Sequence, residues 1–440
     1  MKFYNRQHEL SELKRIQNLS FNDSSRLTVI TGRRRIGKTS LIIKSTANTP
    51  TIYLFVGRKN EATLCSEFIP IIAQVLNTFV PPEIQTFRSL FQYLMELASN
   101  RSFNLIIDEF QEFYTINESI YSDMQYLWDI YRKKSNMNLI VSGSVYSLMQ
   151  KIFQDRREPL FGRADNIIKL SPFDINTLKE IMHDYNPTYI NDDLLALFSF
   201  TGGVPKYVEL FCDNDMLTVD KMIAFMVREN SSFTDEGKNL LIEEFGKNYA
   251  TYFSILSAIS GGINTQSEIE AALGNKSIGG QIKRLVEDYN LIVRQRPILA
   301  KEGGQTVRYE ILDNFLRFWF NYFDRHRSMI EIKNFTALQT IIKADYPIYS
   351  GFMLERYFKQ QFAESFQYRN IGSWWESKGH QNEIDIVALK LEKNQAVAVE
   401  VKRQRKNFKP DLFAAKVEHL RHKLLPKYQI ETQCLSLEDM

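Results

Sequence analysis

A glycine-rich segment close to the N-terminus has residue types that suit phosphate binding. Residues 32–39 read GRRRIGKT, which matches the P-loop spacing G-x-x-x-x-G-K-[ST]. Glycines let backbone N–H groups approach phosphate oxygens, and the start of the following helix adds positive charge. We therefore expect Lys38 to contact the β- and γ-phosphates of ATP and Thr39 to ligate Mg²⁺. The residues expected to bind the nucleotide here are Gly32, Arg33, Arg34, Arg35, Ile36, Gly37, Lys38, Thr39 and Ser40.

Two acidic residues end an apolar stretch further along the chain. Residues 105–109 read LIIDE, which is the Walker B arrangement of a strand followed by two carboxylates. Beside a P-loop, Asp108 is predicted to hold the Mg²⁺ shell and Glu109 to polarise the attacking water. The alternative is an acidic pair that faces solvent at the end of a strand. A dinucleotide site is excluded because the glycine spacing is not G-x-G-x-x-G.

Two serines, Ser142 and Ser144, lie at the end of the next predicted strand. This strand is expected between the P-loop strand and the Walker B strand, so either serine is a candidate sensor of the γ-phosphate. Ordinary turn chemistry at a strand end explains these serines equally well.

A group of charged residues near the C-terminus suggests a second chemistry. Residues 383–388 read EIDIVA and residues 397–402 read VAVEVK, and antiparallel pairing of these two strands would bring Asp385 alongside Glu400. Adjacent carboxylates repel each other and favour a divalent cation. We expect a second divalent ion at Asp385 and Glu400, with Lys402 orienting the nucleophile and Glu355 supplying a further oxygen. The alternative is a structural sheet with a solvated polar face.

The elements that must position these residues follow an α/β pattern in the first part of the chain. Short segments rich in β-branched residues alternate with helical ones, as they do in a buried parallel sheet. The predicted strands are 27–31, 51–56, 103–107, 138–142 and 166–170. We therefore expect an α/β fold with a three-layer α/β/α core. After Pro172 the strands stop, and short helices predicted at 176–185, 192–199, 207–211 and 220–229 form a helical lid.

The pattern changes again after residue 251. Three predicted helices (252–260, 266–273 and 277–288) precede two strands (291–296 and 306–312), which is the plan of a winged helix-turn-helix domain. The last domain is predicted to have a helix at 351–366, strands at 369–375, 383–389 and 396–402, and a basic helix at 411–424. The predicted domains are an ATPase core (1–174), a lid (175–240), a winged helix (241–324), a connector (325–346) and a C-terminal α/β domain (347–440).

The first part of the chain, to about residue 240, resembles the archaeal and bacterial ATPase family of the AAA+/STAND branch of P-loop NTPases. Residues 3–10, FYNRQHEL, look like the family's N-terminal F-x-x-R-x-x-E-L box, which lies next to the nucleotide base. Residues 202–207, GGVPKY, look like the family's lid motif, so the resemblance implies that Pro205 lies near the adenine. A helix-capping turn is the alternative for this segment. The resemblance also implies the strand order 5-1-4-3-2.

An arginine segment adds to this resemblance. Residues 159–163, PLFGR, are similar to the segment that precedes the fifth strand in the family. The resemblance implies that Arg163 is an arginine finger or sensor, and a finger acting in trans would require a homo-oligomer. A surface salt bridge is the alternative.

The C-terminal set of Glu355, Asp385, Glu400 and Lys402 resembles the motif of the PD-(D/E)xK nuclease superfamily, which contains restriction endonucleases and archaeal junction resolvases. It is also similar to the domain of unknown function often attached to this ATPase family. The proline that names the motif is absent before Asp385. The resemblance implies a restriction-endonuclease-like domain that acts on DNA.

Composition adds limits to these expectations. The net charge of +3 over 440 residues says little about partners, but residues 351–430 contain 15 Lys and Arg against 9 Asp and Glu. This local surplus suits a polyanion such as DNA. The three cysteines have no C-x-x-C spacing and predict neither a zinc site nor a disulfide framework. No apolar run reaches the about 18–20 residues of a membrane span, and the N-terminus has no apolar signal region, so we expect a cytoplasmic protein without a membrane partner.

Basic and aromatic residues give two weaker indications of DNA contact. Basic residues of the winged helix could contact phosphates, and two tryptophans could stack on bases. Contacts with protein and packing of the sheet are the alternatives. These residues are Lys276, Lys283, Arg284, Arg294, Arg296, Lys301, Trp374 and Trp375.

The sequence therefore predicts a Mg²⁺-dependent protein that binds and hydrolyses ATP and acts on DNA through a winged helix and a nuclease-like C-terminal domain. The alternative is a STAND-type, ATP-driven switch or assembly protein, whose C-terminal domain is a non-catalytic recognition module.

Overall fold

The computed structural model describes residues 1–246, 249–301, 303, 307–376 and 382–440. Contacts separate the chain into two units, one formed by Tyr4–Ser171 and the other by Met1–Phe3 together with Pro172–Met440. No helix among the described residues combines the length and the apolar character needed to cross a membrane.

Helices and strands alternate in the first unit, as the apolar pattern predicts. The five predicted strands are present, each within two residues of its expected ends. The elements are α1 (Gln7–Asn22), β1 (Arg26–Thr31), α2 (Lys38–Ser45), β2 (Thr51–Phe55), α3 (Glu61–Leu76), α4 (Phe87–Leu97), β3 (Phe103–Asp108), α5 (Phe113–Ile116), α6 (Ser119–Tyr131), β4 (Met137–Gly143), α7 (Tyr146–Gln154) and β5 (Asn166–Lys169).

These five strands form one parallel sheet in the order β2-β3-β4-β1-β5. The strand order implied by the family resemblance is therefore confirmed. Every residue of β3 and β4 is buried, because apolar side chains cover both faces of the sheet. The carboxyl ends of parallel strands meet at one edge of a sheet, and the acidic end of β3 lies at that edge next to the loop that follows β1.

The second unit begins with helices. The four helices predicted as a lid are present, and so are the three helices and the antiparallel hairpin predicted for a winged helix. One further helix, Glu236–Phe245, lies between these two groups and was not predicted. Part of the predicted wing loop, residues 302 and 304–306, lies outside the described residues. The elements are α8 (Ile175–Tyr185), α9 (Asn191–Thr201), α10 (Pro205–Asp213), α11 (Val219–Met226), α12 (Glu236–Phe245), α13 (Tyr249–Ser260), α14 (Gln266–Ala272), α15 (Gly279–Glu287), β6 (Ile292–Gln295), β7 (Arg308–Ile311), α16 (Asn314–Phe318), which continues as a π-helical turn (Trp319–Asp324), and α17 (Arg327–Glu331).

A mixed sheet follows at the C-terminal end of this unit. Its order is β11-β10-β9-β8, with β8, β9 and β10 antiparallel and β11 parallel to β10. The predicted strands and the basic helix are present, and β11 is an additional strand. The elements are α18 (Phe335–Glu364), β8 (Tyr368–Trp374), β9 (Ile384–Lys390), β10 (Gln395–Val401), α19 (Pro410–Leu424) and β11 (Gln429–Leu435).

The long helix α18 differs from the expectation. It begins at Phe335, so most of the predicted connector 325–346 is helical, and the helix predicted at 351–366 is the second part of a longer one. Pro347 lies inside α18 and did not end it, because buried side chains continue at helical spacing on both sides of the proline. These side chains include Leu338, Ile342, Tyr346, Tyr349 and Met353.

One arginine joins three elements of the second unit. Arg403, which follows β10, donates hydrogen bonds to Ser350 on α18 and to the carboxylate of Asp192 in the first turn of α9. The guanidinium also lies over the ring of Tyr346, 5.2 Å from its centroid, and the Tyr346 hydroxyl donates to Asp192 Oδ1 over 3.0 Å. The end of β10 next to Lys402 is thereby connected to α9.

Candidate functional site

The loop between β1 and α2 has the backbone shape of a phosphate cradle. Gly32 and Gly37 have φ values of +153° and +90°, and side chains rarely tolerate this region. A Cβ at Gly32 would lie 3.1 Å from the carbonyl oxygen of Leu170. Lys38 begins α2, is only 7% exposed, and its Nζ donates to the carbonyl oxygens of Gly32 at 2.8 Å and Arg33 at 3.2 Å. The ammonium group is therefore held against the loop.

The carboxylate of Asp108 lies where β3 ends and receives three hydroxyl groups. Thr39 Oγ1 donates to Asp108 Oδ2 over 3.2 Å, and Ser142 Oγ donates to Oδ1 over 2.5 Å. The Tyr53 hydroxyl donates to the same carboxylate, and burial, together with this hydrogen bond to Asp108, raises the pKa of Tyr53. Asp108 is 5% exposed. Thr39 and Asp108 thus offer hydroxyl and carboxylate oxygens at one point, and these hard donors fit Mg²⁺.

Glu109, the predicted base, is held in a strained backbone conformation. Its φ is +54°, and such conformations of non-glycine residues cluster at functional sites. Glu109 Oε2 accepts from Ser144 Oγ over 2.7 Å and from Gln111 Nε2 over 2.5 Å. Gly143 permits this arrangement, because a Cβ there would lie 2.3 Å from Gln111 Oε1. The two donors fix the direction in which the carboxylate points.

Besides Thr39, four polar residues therefore donate to the two acids, and the sequence identified two of these four. Ser142 and Ser144 contact Asp108 and Glu109 respectively, while their role as γ-phosphate sensors stays a prediction. Tyr53 and Gln111 were missed. Tyr53 gave a signal as a residue with a polar hydroxyl in the middle of the predicted strand 51–56, whereas Gln111 lies in a short turn for which no residue spacing is diagnostic.

The N-terminal box places its two charged residues together. Arg6 Nη1 donates to Glu9 Oε1 over 3.2 Å, and Arg6 Nη2 donates to the carbonyl oxygen of Ser171 over 2.5 Å. The box therefore ties the start of the first unit to its end. Proximity to the nucleotide base stays a prediction.

Arg163 lies in an ion pair on the surface of the first unit. Its Nη2 lies 3.1 Å from Asp129 Oδ2, and its Nη1 donates to the carbonyl oxygen of Phe161 over 3.0 Å. These contacts agree with the surface salt bridge that was the alternative. A role of Arg163 as a finger stays a prediction.

Pro205 begins α10, directly after a glycine pair. Gly202 ends α9 with a φ of +59°, and a Cβ at Gly203 would lie 2.5 Å from the carbonyl oxygen of Phe173. Glycine at the end of one helix and proline in the first turn of the next are typical capping positions. The segment thus has the capping geometry that was the alternative, and the adenine contact of Pro205 stays a prediction.

The C-terminal site brings Asp385 and Glu400 onto adjacent antiparallel strands, as expected. Ile386 of β9 pairs with Val399 of β10. Because the strands are antiparallel, Asp385, which precedes Ile386, lies alongside Glu400, which follows Val399. Asp385 Oδ2 accepts from the backbone N–H of Val401 over 2.7 Å. Lys402 Nζ lies 2.8 Å from Glu400 Oε1, so the predicted lysine is also in place.

Glu355 on α18 is the fourth member of this site. Burial, and next the nearby charge of Asp385, raise the pKa of Glu355 to about 8. Burial also raises the pKa of Asp385, against the hydrogen bond from Val401. Burial tends to lower the pKa of Lys402, but Glu400, Asp385 and Glu355 outweigh it and raise this pKa. The four predicted residues therefore interact with one another.

A second lysine, which the sequence did not identify, also contacts Glu400. Lys416 on α19 lies 3.4 Å from both carboxylate oxygens. In the part of the chain that the structure describes, no group of three or more His, Cys, Asp or Glu side chains is arranged to hold a metal ion. The carboxylates of Asp385 and Glu400 are suitable donors for a divalent ion, but both oxygens of Glu400 are engaged by lysines.

The hairpin packs against the C-terminal sheet. Ile298, after β6, is buried in the core of that sheet together with Trp374, and its N–H donates to the carbonyl oxygen of Ser373 over 2.8 Å. On β7, Arg308 lies 2.7 Å from Glu383 and stacks over Trp375 at 4.6 Å. Both tryptophans are buried, which agrees with packing of the sheet, the alternative to base stacking.

The basic residues predicted to contact phosphates have mixed surroundings. Lys276, Lys283 and Lys301 are exposed, and Lys283 lies 3.7 Å from Glu287. Arg296 is partly buried, with its Nε enclosed. DNA contact by these basic residues therefore stays a prediction, whereas packing of the hairpin against the C-terminal sheet of the same chain is observed.

Comparisons with known proteins match two segments of the chain to protein families. Residues 3–211 match the model of an ATPase domain predominantly from Archaea, and residues 319–411 match archaeal and bacterial proteins of unknown function. An uncharacterized protein of Methanocaldococcus jannaschii is 30% identical over 407 residues, which covers 89% of this chain and 86% of that protein. The Walker-type ATPase of Pyrococcus abyssi is similar in structure, with a TM-score of 0.55 and 20% identity over 72% of this chain and 96% of that one.

Proposed function

Because the chain belongs to the family of ATPase domains found predominantly in Archaea, we propose that it hydrolyses Mg-ATP at residues 32–40, Asp108 and Glu109. The observation that carries this proposal is the contact between Thr39 and Asp108 beside the strained loop that holds Lys38. A hydroxyl, a carboxylate and an ammonium group are the protein groups that a nucleotide with its magnesium ion needs.

The chemistry follows from the position of each side chain. Lys38 would contact the β- and γ-phosphates, while Thr39 and Asp108 would hold Mg²⁺, which offsets phosphate charge when bound. Glu109 would accept a proton from the water that attacks the γ-phosphorus, so that ADP and phosphate form. Ser144 and Gln111 keep the carboxylate of Glu109 in one orientation.

Replacement of the P-loop lysine tests nucleotide binding. We expect Lys38→Ala to abolish ATP binding in calorimetric titrations, because the ammonium group that contacts two phosphates is lost. Lys44→Ala removes an exposed lysine from the same helix and should bind ATP like wild type. Normal ATP binding by Lys38→Ala would end the assignment.

Replacement of the predicted base tests turnover. We expect Glu109→Gln to keep ATP binding and to slow phosphate release by about 10²–10⁴-fold, the usual contribution of a general base. Glu118→Gln changes an exposed acid nearby and should hydrolyse ATP at the wild-type rate. If Glu109→Gln turns over normally, another group activates the water.

We further propose that the protein acts on DNA through its C-terminal domain. Two features support this: the basic surplus of residues 351–430 and the interaction of Glu355, Asp385, Glu400 and Lys402. A nuclease would use a divalent ion at Asp385 and Glu400 to activate water. The nucleotide state of the ATPase would then regulate this second site, and Arg163 would act in trans if the protein forms homo-oligomers.

A cleavage panel tests the nuclease proposal. Plasmid, single-stranded and branched DNA would be incubated with Mg²⁺ or Mn²⁺, with and without ATP. We expect wild type to cut at least one substrate and the double variant Asp385→Ala, Lys402→Ala to cut none. No cutting by wild type on any substrate would favour the second candidate.

That second candidate is an ATP-driven switch whose C-terminal domain is a recognition module without catalysis. The engagement of both Glu400 oxygens by lysines favours it, as does the use of the hairpin for packing within the chain. Under this reading, ATP changes the assembly state. Sedimentation with ATP, with ADP and without nucleotide would reveal a nucleotide-dependent change in mass, whereas a constant mass would count against it.

A further inference from the structure

Lys416, the second lysine that contacts Glu400, is not part of the motif predicted for the C-terminal site. Lys402 follows β10, and its backbone N–H donates to the carbonyl oxygen of Leu435 on β11 over 2.9 Å, so the backbone of this lysine is held by the sheet. Lys416 approaches from α19, a different element, and its ammonium group has equal distances of 3.4 Å to both oxygens of Glu400. A long side chain on a helix surface can leave Glu400 without any change in strand pairing.

The position of Lys416 conflicts with a divalent ion. An ion held by Asp385 and Glu400 would need oxygens that Lys416 now contacts, in a place where Glu400 is only 10% exposed and Lys416 22% exposed. Like charges at such short separation repel strongly, and solvent screens partly buried charges only weakly. The ammonium group and the ion therefore compete for the same carboxylate.

A phosphodiester would relieve this competition. Its charged oxygens attract an ammonium group as a carboxylate does, so a backbone phosphate in this site would draw Lys416 away from Glu400. We propose that Lys416 is a positioning residue that occupies Glu400 in the free protein and moves to a phosphate when nucleic acid binds, which opens Glu400 to a divalent ion. Binding of the polyanion and binding of the ion are then linked, and linkage of this kind is reciprocal.

Titration with Mn²⁺ alone, without nucleotide, tests the first half of this proposal in the full chain. Electron paramagnetic resonance would count bound Mn²⁺, and Asp385→Ala would define the binding that belongs to other sites. We expect Lys416→Met to raise the Asp385-dependent Mn²⁺ affinity on the order of tenfold. Lys416→Arg keeps the charge and should bind Mn²⁺ as weakly as wild type.

Lys423→Met is the matched control, because it removes a lysine from the same helix that pairs with Glu376 instead. It should leave Mn²⁺ affinity unchanged. The proposal is overturned if Lys416→Met binds Mn²⁺ no better than wild type, if Lys416→Arg behaves like Lys416→Met, or if Lys423→Met gives the same gain. It is also overturned if neither wild type nor Lys416→Met shows any Asp385-dependent Mn²⁺ binding.

Fluorescence anisotropy with a labelled single-stranded oligonucleotide tests the second half, which rests on the proposed action on DNA. We expect Mn²⁺ to increase oligonucleotide affinity in wild type and to have no such effect in Lys416→Met. An effect of Mn²⁺ that persists in Lys416→Met would overturn the linkage. If wild type binds no oligonucleotide under any condition, the proposed action on DNA fails, whereas the Mn²⁺ titration still decides the competition at Glu400.

Discussion

At the scale of single residues, the nucleotide site depends on a close approach between two short segments. Gly143 ends β4 directly against Gln111, and Gln111 holds the carboxylate of Glu109. Because Gly143 has no Cβ, Gln111 can lie close to the end of β4 and hold the carboxylate of Glu109, the predicted base, in its observed direction.

We expect Gly143→Ala to lower stability and to slow ATP turnover while ATP affinity is kept. The new methyl group would lie 2.3 Å from Gln111 Oε1 and 2.4 Å from Met149 Sδ, and overpacking of this kind costs about 1–3 kcal/mol. Urea denaturation and phosphate release would measure the two effects. Gly57→Ala, where the nearest atom is Phe55 Cε1 at 3.9 Å, should change neither quantity, and a Gly143→Ala protein as stable as wild type would contradict the close approach.

The chemistry of phosphate binding explains which site residues the sequence predicts. Lys38, Thr39, Asp108 and Glu109 lie at spacings that a strand, a loop and a helix start impose, so a local pattern identifies them. Lys416 comes from a helix that meets Glu400 only after the sheet has formed. No local pattern records that meeting, and for this reason Lys416 was missed.

At the scale of elements, the hairpin of β6 and β7 is part of the C-terminal core. Ile298 contributes a buried side chain to that core, while its neighbour Leu299 is exposed. A hairpin packed in this way supports the sheet that presents Asp385. The hairpin thus has a structural role whether or not it also contacts nucleic acid.

Substitutions at two adjacent aliphatic residues would distinguish this structural role of the hairpin from a general effect of mutation. We expect Ile298→Ala to lower the free energy of unfolding by about 2–4 kcal/mol, as truncation of a buried isoleucine does. Leu299→Ala, at an exposed position, should stay within about 0.5 kcal/mol of wild type. Chemical denaturation would measure both variants, and equal effects would mean that the hairpin does not depend on Ile298 for its packing.

Physical reasons also account for the elements that the sequence missed. The strands of the first unit are buried on both faces, so each gives a continuous apolar signal. Strand β11 lies at the edge of its sheet and carries exposed polar residues such as Gln429 and Glu431, which weakens that signal. Helix α18 contains Pro347, and proline is ordinarily a helix boundary.

At the scale of the whole molecule, Arg403 connects the C-terminal sheet with helix α9 inside the second unit. Its guanidinium contacts Asp192 of α9 and Ser350 of α18 and stacks on Tyr346. A change in the position of α9 would therefore move Arg403, the residue next to Lys402. Arg403 therefore couples the positions of α9, α18 and the C-terminal sheet.

We expect Arg403→Gln to reduce the stability of this unit by about 1–3 kcal/mol, because a partly buried carboxylate loses its charged partner. Hydrogen exchange in the first turn of α9 should become faster in the same variant. Arg405→Gln removes an exposed arginine paired with Asp439 and should cost at most about 1 kcal/mol. Unchanged exchange in α9 of Arg403→Gln would show that the two elements are held together by other contacts.

The continuity of α18 through Pro347 also bears on any dissection of the chain. A C-terminal fragment that begins at residue 347 would lose Leu338, Ile342 and Tyr346 from the first part of that helix. It would also lack Ile298, which is buried in the core of the C-terminal sheet. Inactivity of such a fragment would report damaged packing and not a requirement for the ATPase. An informative excision must therefore begin before the hairpin, so that the C-terminal sheet keeps the neighbours with which it folds.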